Sequence, residues 1–210
     1  MKKALFLFLV LLLPAYCYAS IVSTSGNMVE YTQEPNDLGL GKVESNSEMK
    51  VFYERQSYIL QDNLQIDKGF GQYEGSNFIP ANTVVNSYII HVDPVGTTRI
   101  TLTGSVTFDT DIIGIIYSTS LLKKSDSKLG CEGVNFEKDN SLRGLELSYG
   151  DSWSISNDNK TFSLNTYTDV SMDEIRIITA VPIPNAIFLL ISGCGMIFIK
   201  NKKRNLFHKI

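Results

Sequence analysis

Cysteine and histidine are scarce in this chain, and their scarcity closes off several chemistries. Its 210 residues hold three cysteines and two histidines. Cys17 and Cys194 lie in the apolar terminal segments, so Cys131 is the lone thiol of the body and no disulfide can form within it. No CxxC and no Cys/His set exists, which excludes a structural zinc site. A Ser-His-Asp triad would have to use His91, the only histidine outside the tail, and no serine sits in a nucleophile-elbow glycine pattern. No internal repeat is present, so neither a solenoid nor a propeller is supported. Positive charge is also thin: Ser20–Ala180 carries 22 acidic against 12 basic residues, a net −10. Such a surface repels nucleic acid and suits divalent cations or neutral polysaccharide.

What the chain does have is a pair of apolar ends. Residues 1–19 read as a secretory signal peptide. Lys2 and Lys3 precede the apolar stretch Ala4–Pro14, and Cys17 and Ala19 stand at the −3 and −1 positions of a signal-peptidase cut between Ala19 and Ser20. Tyr16 is too bulky for a lipoprotein site at Cys17. At the other end, Val181-Pro182-Ile183-Pro184 leads into an uncharged run, Ile183–Ile199. As a helix its 17 residues rise roughly 25 Å, the short limit of a transmembrane span. Lys200, Lys202, Lys203 and Arg204 follow as a basic stop that keeps residues 205–210 cytoplasmic. Pro182 and Pro184 hold the chain extended just outside the membrane, where a processing enzyme can grip it.

A Pro-x-Pro motif, a short apolar helix and a basic end, in that order over residues 181–204, resemble the PEP-CTERM sorting signal of exopolysaccharide-producing Gram-negative bacteria. Ile183 stands where Glu is commonest, and the basic end is rich in Lys rather than Arg. The resemblance implies that an exosortase-like membrane protease, a cysteine transpeptidase, takes this protein as substrate. The competing reading is a plain single-span anchor that is never cut. The body, from Val51 to Ala180, is also similar to a group of exported proteins with the same tail. That likeness rests on Val51–Gln56, Asn86–Gly96, Gly104–Asp109, Arg143–Leu147 and Asp173–Thr179. It implies envelope or matrix placement and carries no catalytic residue over.

The body reads as all-β. Arg99–Phe108 alternates strictly between polar and apolar or small residues, and Met49–Glu54 alternates likewise, as half-buried strands do. Val84–Val92 and Ile112–Tyr117 are continuous apolar or aromatic runs, the mark of strands covered on both faces. Phe162, Leu164 and Thr166 alternate, and Met172–Ala180 forms a last strand. Ser118–Leu129 fits one short helix. Residues 20–47 are expected to be an irregular arm with one strand near Val29–Thr32, and residues 48–180 an antiparallel β-sandwich of jelly-roll-like kind.

Four residues are the candidate ligand contacts. Asp109 and Asp111 are spaced like two Ca²⁺ ligands but lack the rest of an EF-hand loop. His91 and Asp93 share a face at a strand end; hydrogen bonding that shapes the turn at Pro94 is the simpler role. Trp153, with Tyr149, Tyr73, Phe70 and Tyr58, is the candidate for stacking on sugar rings. The sequence therefore points to an exported, non-enzymatic matrix or cell-surface protein without a cofactor. The alternative is a carbohydrate-binding module assisted by Ca²⁺. Expected partners are signal peptidase, the exosortase-like protease and exopolysaccharide, with no nucleic acid.

Overall fold

Strict alternation in the sequence becomes strict alternation in space along Ile100–Phe108. There Ile100, Leu102, Gly104, Val106 and Phe108 are buried, and the residues between them are half-buried or exposed. This strand, β9, belongs to a computed structural model that describes residues 20–181 apart from Glu34 and residues 139–142. The described residues form fourteen strands and one α-helix. The strands are β1 (Ile21–Gly26), β2 (Met28–Tyr31), β3 (Asp37–Leu38), β4 (Met49–Ile59), β5 (Leu64–Gln65), β6 (Lys68–Gly69), β7 (Phe78–Ile79), β8 (Val84–Val92), β9, β10 (Ile112–Ile116), β11 (Asn135–Phe136), β12 (Ser152–Ile155), β13 (Thr161–Thr168) and β14 (Asp173–Ala180). The helix is α1 (Thr119–Leu129).

Two sheets dominate. A four-stranded sheet has the order β1-β9-β13-β12, and a six-stranded sheet the order β2-β4-β8-β14-β10-β6. Pairing is antiparallel except between β2 and β4 and in the small β3–β11 pair. The first sheet contributes Leu102, Val106, Phe108, Phe162 and Leu164 to the main core, and the second contributes Val51, Tyr88, Ile90, Val92, Ile175 and Ile177. Burial of this apolar surface, at roughly 25 cal/mol per Å², is the chief force holding the two sheets together.

The six-stranded sheet is covered on its second face as well. Leu122 and Leu129 of α1 pack with Val85, Ile116 and Ile178, while Leu38 and Phe136 pack with Phe52 and Ile89. This double cover explains the unbroken apolar run of β8, buried from Val85 to Val92. It also corrects the reading of β4 as half-exposed: Lys50, Phe52 and Glu54 are buried too, because the segment before β4 and the segment after α1 lie over them. Lys50 reaches the carbonyls of Val43 (3.0 Å) and Glu44 (3.1 Å).

The expected irregular arm contains more order than its composition suggests. β1 pairs with β9 and β2 pairs with β4, so residues 20–31 contribute a strand to each sheet. The helix lies where expected, beginning after extended Ser118 and ending at Gly130, whose N–H donates to the Asp126 carbonyl. Among the described residues no helix is long and apolar enough to cross a membrane. The expected signal peptide (1–19), sorting motif beyond Val181, span 183–199, basic stop and tail 205–210 lie outside the described residues.

Candidate functional site

Three carboxylates converge at one end of the main core. The loop from Gly144 to Asp151 is anchored at its start, where the Gly144 N–H donates to Thr119 Oγ1 (2.9 Å) and the Leu145 N–H to the Tyr117 carbonyl (3.0 Å). Asp151 closes it. Its Oδ2 accepts from the Glu146 N–H and its Oδ1 from the Tyr167 N–H, both at 2.8 Å, tying the loop to itself and to β13. Asp173 opens β14, and alternation puts it on the same inward face as Ile175 and Ile177. Thr166 of β13, also fully buried, donates its hydroxyl to Asp173 Oδ2.

Glu146, Asp151 and Asp173 each place a carboxylate oxygen within 4.8 Å of the others. Among the described residues they are the one such group of His, Cys, Asp or Glu, and no basic side chain pairs with any of the three. Burial and the neighbouring Asp151 carboxylate push Glu146 up to about 7, and the same two causes hold Asp173 well above the usual carboxylate range. Asp173 is fully buried and both Asp151 oxygens are committed to backbone amides, so the fold itself holds the group together.

A second charged assembly lies between the six-stranded sheet and α1, and it is self-contained. Arg176 donates to Glu54 through Nε (2.7 Å to Oε2) and Nη2 (2.7 Å to Oε1), and Nη2 also reaches Asp126 Oδ1 (3.1 Å). Arg143 donates to Asp126 at 2.6 and 3.0 Å and to Glu174 Oε2. Burial disfavours both guanidinium charges, but Glu54 acting on Arg176, and Glu174 and Asp126 acting on Arg143, outweigh it and raise both pKa values. Both guanidinium groups also lie over the Phe136 ring, at 5.3 and 5.7 Å. With two guanidinium groups and three carboxylates bonded to one another inside the fold, this layer reads as architecture.

The four residues singled out from sequence do not come together. His91 is fully buried, its Nδ1 2.9 Å from Glu174 Oε1 and its Nε2 4.0 Å from Asp93 Oδ2, which in turn accepts from the Gly41 N–H. His91 thus bonds across the sheet to Glu174 of β14, and at 4.0 Å it makes no hydrogen bond to Asp93, so the expected role in shaping the turn at Pro94 is not what the structure shows. Asp109 accepts from the backbone N–H (2.9 Å) and hydroxyl (3.2 Å) of Ser20, and the Asp111 carbonyl accepts from Ala180. Neither carboxylate belongs to the acidic group. Trp153 packs against Phe70, Tyr117 and Phe162, with ring centroids 5.9–6.4 Å apart, so it closes the core instead of offering a stacking face. Of the proposed aromatic platform, Tyr149 alone is largely exposed, at 78 %. Cys131 is buried, as a small apolar residue would be, and its thiol donates to the Tyr53 carbonyl at 3.2 Å.

The acidic group itself was missed from sequence. Glu146 and Asp151 lie in a loop and Asp173 in a strand, so only pairing brings them together. The one local signal is Asp173 itself, an acid on the apolar side of an alternating strand. No family model, no curated protein and no solved structure matches this chain.

Proposed function

We propose that this is an exported protein whose C-terminal Pro-x-Pro, apolar and basic segments are a sorting signal of PEP-CTERM kind. An exosortase-like protease removes that signal and leaves the body at the cell surface or in an exopolysaccharide matrix. On this reading the body is a jelly-roll-like sandwich with a structural or interaction role and no turnover. One observation supports it most. β1 begins at Ile21 and β14 ends at Ala180. Cuts between Ala19 and Ser20 and within Pro182–Pro184 therefore fall just outside the first and last strands and spare every pairing. Intact mass of the protein recovered from its own cells is the test. A product running from Ser20 to the Pro182–Pro184 region fits sorting, whereas a species still ending at Ile210 fits a permanent anchor.

A carbohydrate-binding role is the second reading, and the outer face of the four-stranded sheet favours it. That face is a grid of hydroxyl and amide groups joined across strands: Ser25 with Ser105 (2.8 Å), Thr103 donating to Asn165 (2.8 Å), and Thr107 with Thr161 (3.0 Å). An uncharged, hydrogen-bonding plane on a strongly acidic protein suits a neutral polysaccharide. Binding of the purified protein to such a polymer separates this reading from a purely structural one.

A further inference from the structure

We propose that Glu146, Asp151 and Asp173 form a Ca²⁺ site that fixes the loop between Glu146 and Asp151 and so sets the position of exposed Tyr149. Two independent features lead there. The first is the convergence of three carboxylates within 4.8 Å with no basic partner. The second is Asp173 itself. The residue is fully buried, Thr166 takes Oδ2, and Oδ1 is left buried without any hydrogen-bond donor. A buried acceptor left bare forfeits its hydration without replacement, so such a group implies a partner.

The partner must bring positive charge. Asp151 and Glu146 both disfavour a negative charge on Asp173, and among the described residues no basic side chain offsets it. A shared proton offsets one of three negative charges, whereas a divalent cation offsets two. The donor set is oxygen only, which selects a hard cation and disfavours zinc or copper. Mg²⁺ demands a near-ideal octahedron, while Ca²⁺ accepts six to eight oxygens in irregular arrangements. The three carboxylates, the Thr166 hydroxyl oxygen and water admitted past half-buried Glu146 meet the looser demand. The site joins both ends of a short loop to β14. Between those ends stand Leu147 and Tyr149, both exposed. The cation therefore acts on the one accessible aromatic of the expected platform, and it does so far from Asp109 and Asp111 in sequence. This inference is independent of how the chain is sorted.

The test uses purified full-length protein stripped with EDTA. CaCl₂ at a hundredfold excess over its dissociation constant raises the thermal midpoint by roughly 5–10 °C, and MgCl₂ raises it less. Tb³⁺ added alone gives luminescence sensitised by Trp153, two residues from Asp151, and Ca²⁺ quenches it. Glu146→Gln and Asp173→Asn abolish both responses, and Asp173→Asn also raises the midpoint of the Ca²⁺-free protein. Asp109→Asn leaves both responses intact. No midpoint change with either cation, or a Ca²⁺ response that survives Glu146→Gln, overturns the proposal. So does a midpoint that responds only to acidification, which marks a shared proton.

Discussion

Arg176 and Glu54, 122 residues apart in the chain, meet in a bidentate ion pair from which water is wholly excluded. The pair joins β4 to β14 across β8, on the face covered by α1. Ser87 of the intervening strand adds a third donor to Glu54 Oε2, at 2.6 Å. Glu54→Ala leaves a buried guanidinium with only Asp126 and backbone or hydroxyl acceptors around it. The expected loss is about 3–5 kcal/mol, read from urea unfolding. The double variant Glu54→Leu with Arg176→Met is expected to lose less than Glu54→Ala alone, because no charge is then stranded.

Trp153 separates packing from binding. Its indole lies 6.4 Å from the Phe162 ring in a nearly parallel stack and touches Phe70 and Tyr117 edge-on or tilted. Trp153→Ala is expected to lower stability by roughly 3 kcal/mol. Its effect on polysaccharide binding is expected to be no larger than that loss explains. Tyr149→Ala, by contrast, leaves the unfolding midpoint within error, since the ring is mostly in water.

The acidic group makes a prediction about pH. Burial, then Asp151, raises Glu146 from 4.5 to about 7 in the folded protein. Between those values the folded state holds a proton that the unfolded chain has released. Stability from this group is thus fully present below pH 4.5 and is lost as pH rises through 7. In divalent-free buffer the wild type should lose stability between pH 5 and 7 relative to Glu146→Gln, by about 2 kcal/mol. Equal pH slopes for the two proteins would refute this.

Gly104 is the point where β9 meets the corner between β1 and β2. A Cβ there would stand 2.6 Å from the Ser25 carbonyl oxygen and 2.7 Å from the Met28 nitrogen, both backbone atoms that cannot swing away. Gly104→Ala is expected to cost roughly 2 kcal/mol or more, measured by chemical denaturation. Gly41→Ala, at φ +77° but facing open space, is expected to cost only about 1 kcal/mol of backbone strain.

Much of the strand plan was legible because period-two patterning is written locally. β9 was read within one residue, the run at β8 announced a strand covered twice, and α1 was recognised from a few leucines. β1 was not legible, since Ile21-Val-Ser-Thr-Ser-Gly26 buries no residue fully and gains its order from pairing with β9. Nor was the second cover over β4. Lys50 and Glu54 are charged, and their burial depends on the carbonyls of the segment just before β4 and on an arginine 122 residues away from Glu54. The acidic group failed to show for the same reason: Asp173 and Glu146 are neighbours only once the Glu174 N–H has met the Arg143 carbonyl and Asp151 has tied the loop to β13.

Ser20 sits against Asp109, nitrogen to Oδ1 at 2.9 Å. Hydrolysis of the preceding bond, at the cut proposed between Ala19 and Ser20, would convert that peptide nitrogen into an ammonium, and an amide–carboxylate hydrogen bond into an ammonium–carboxylate ion pair of greater strength. Release at the proposed cut would therefore tighten the grip of the first strand on the corner after β9. A version of the body made with an extra residue ahead of Ser20 should show faster amide exchange along Ile21–Gly26 than the trimmed form, most visibly at low ionic strength.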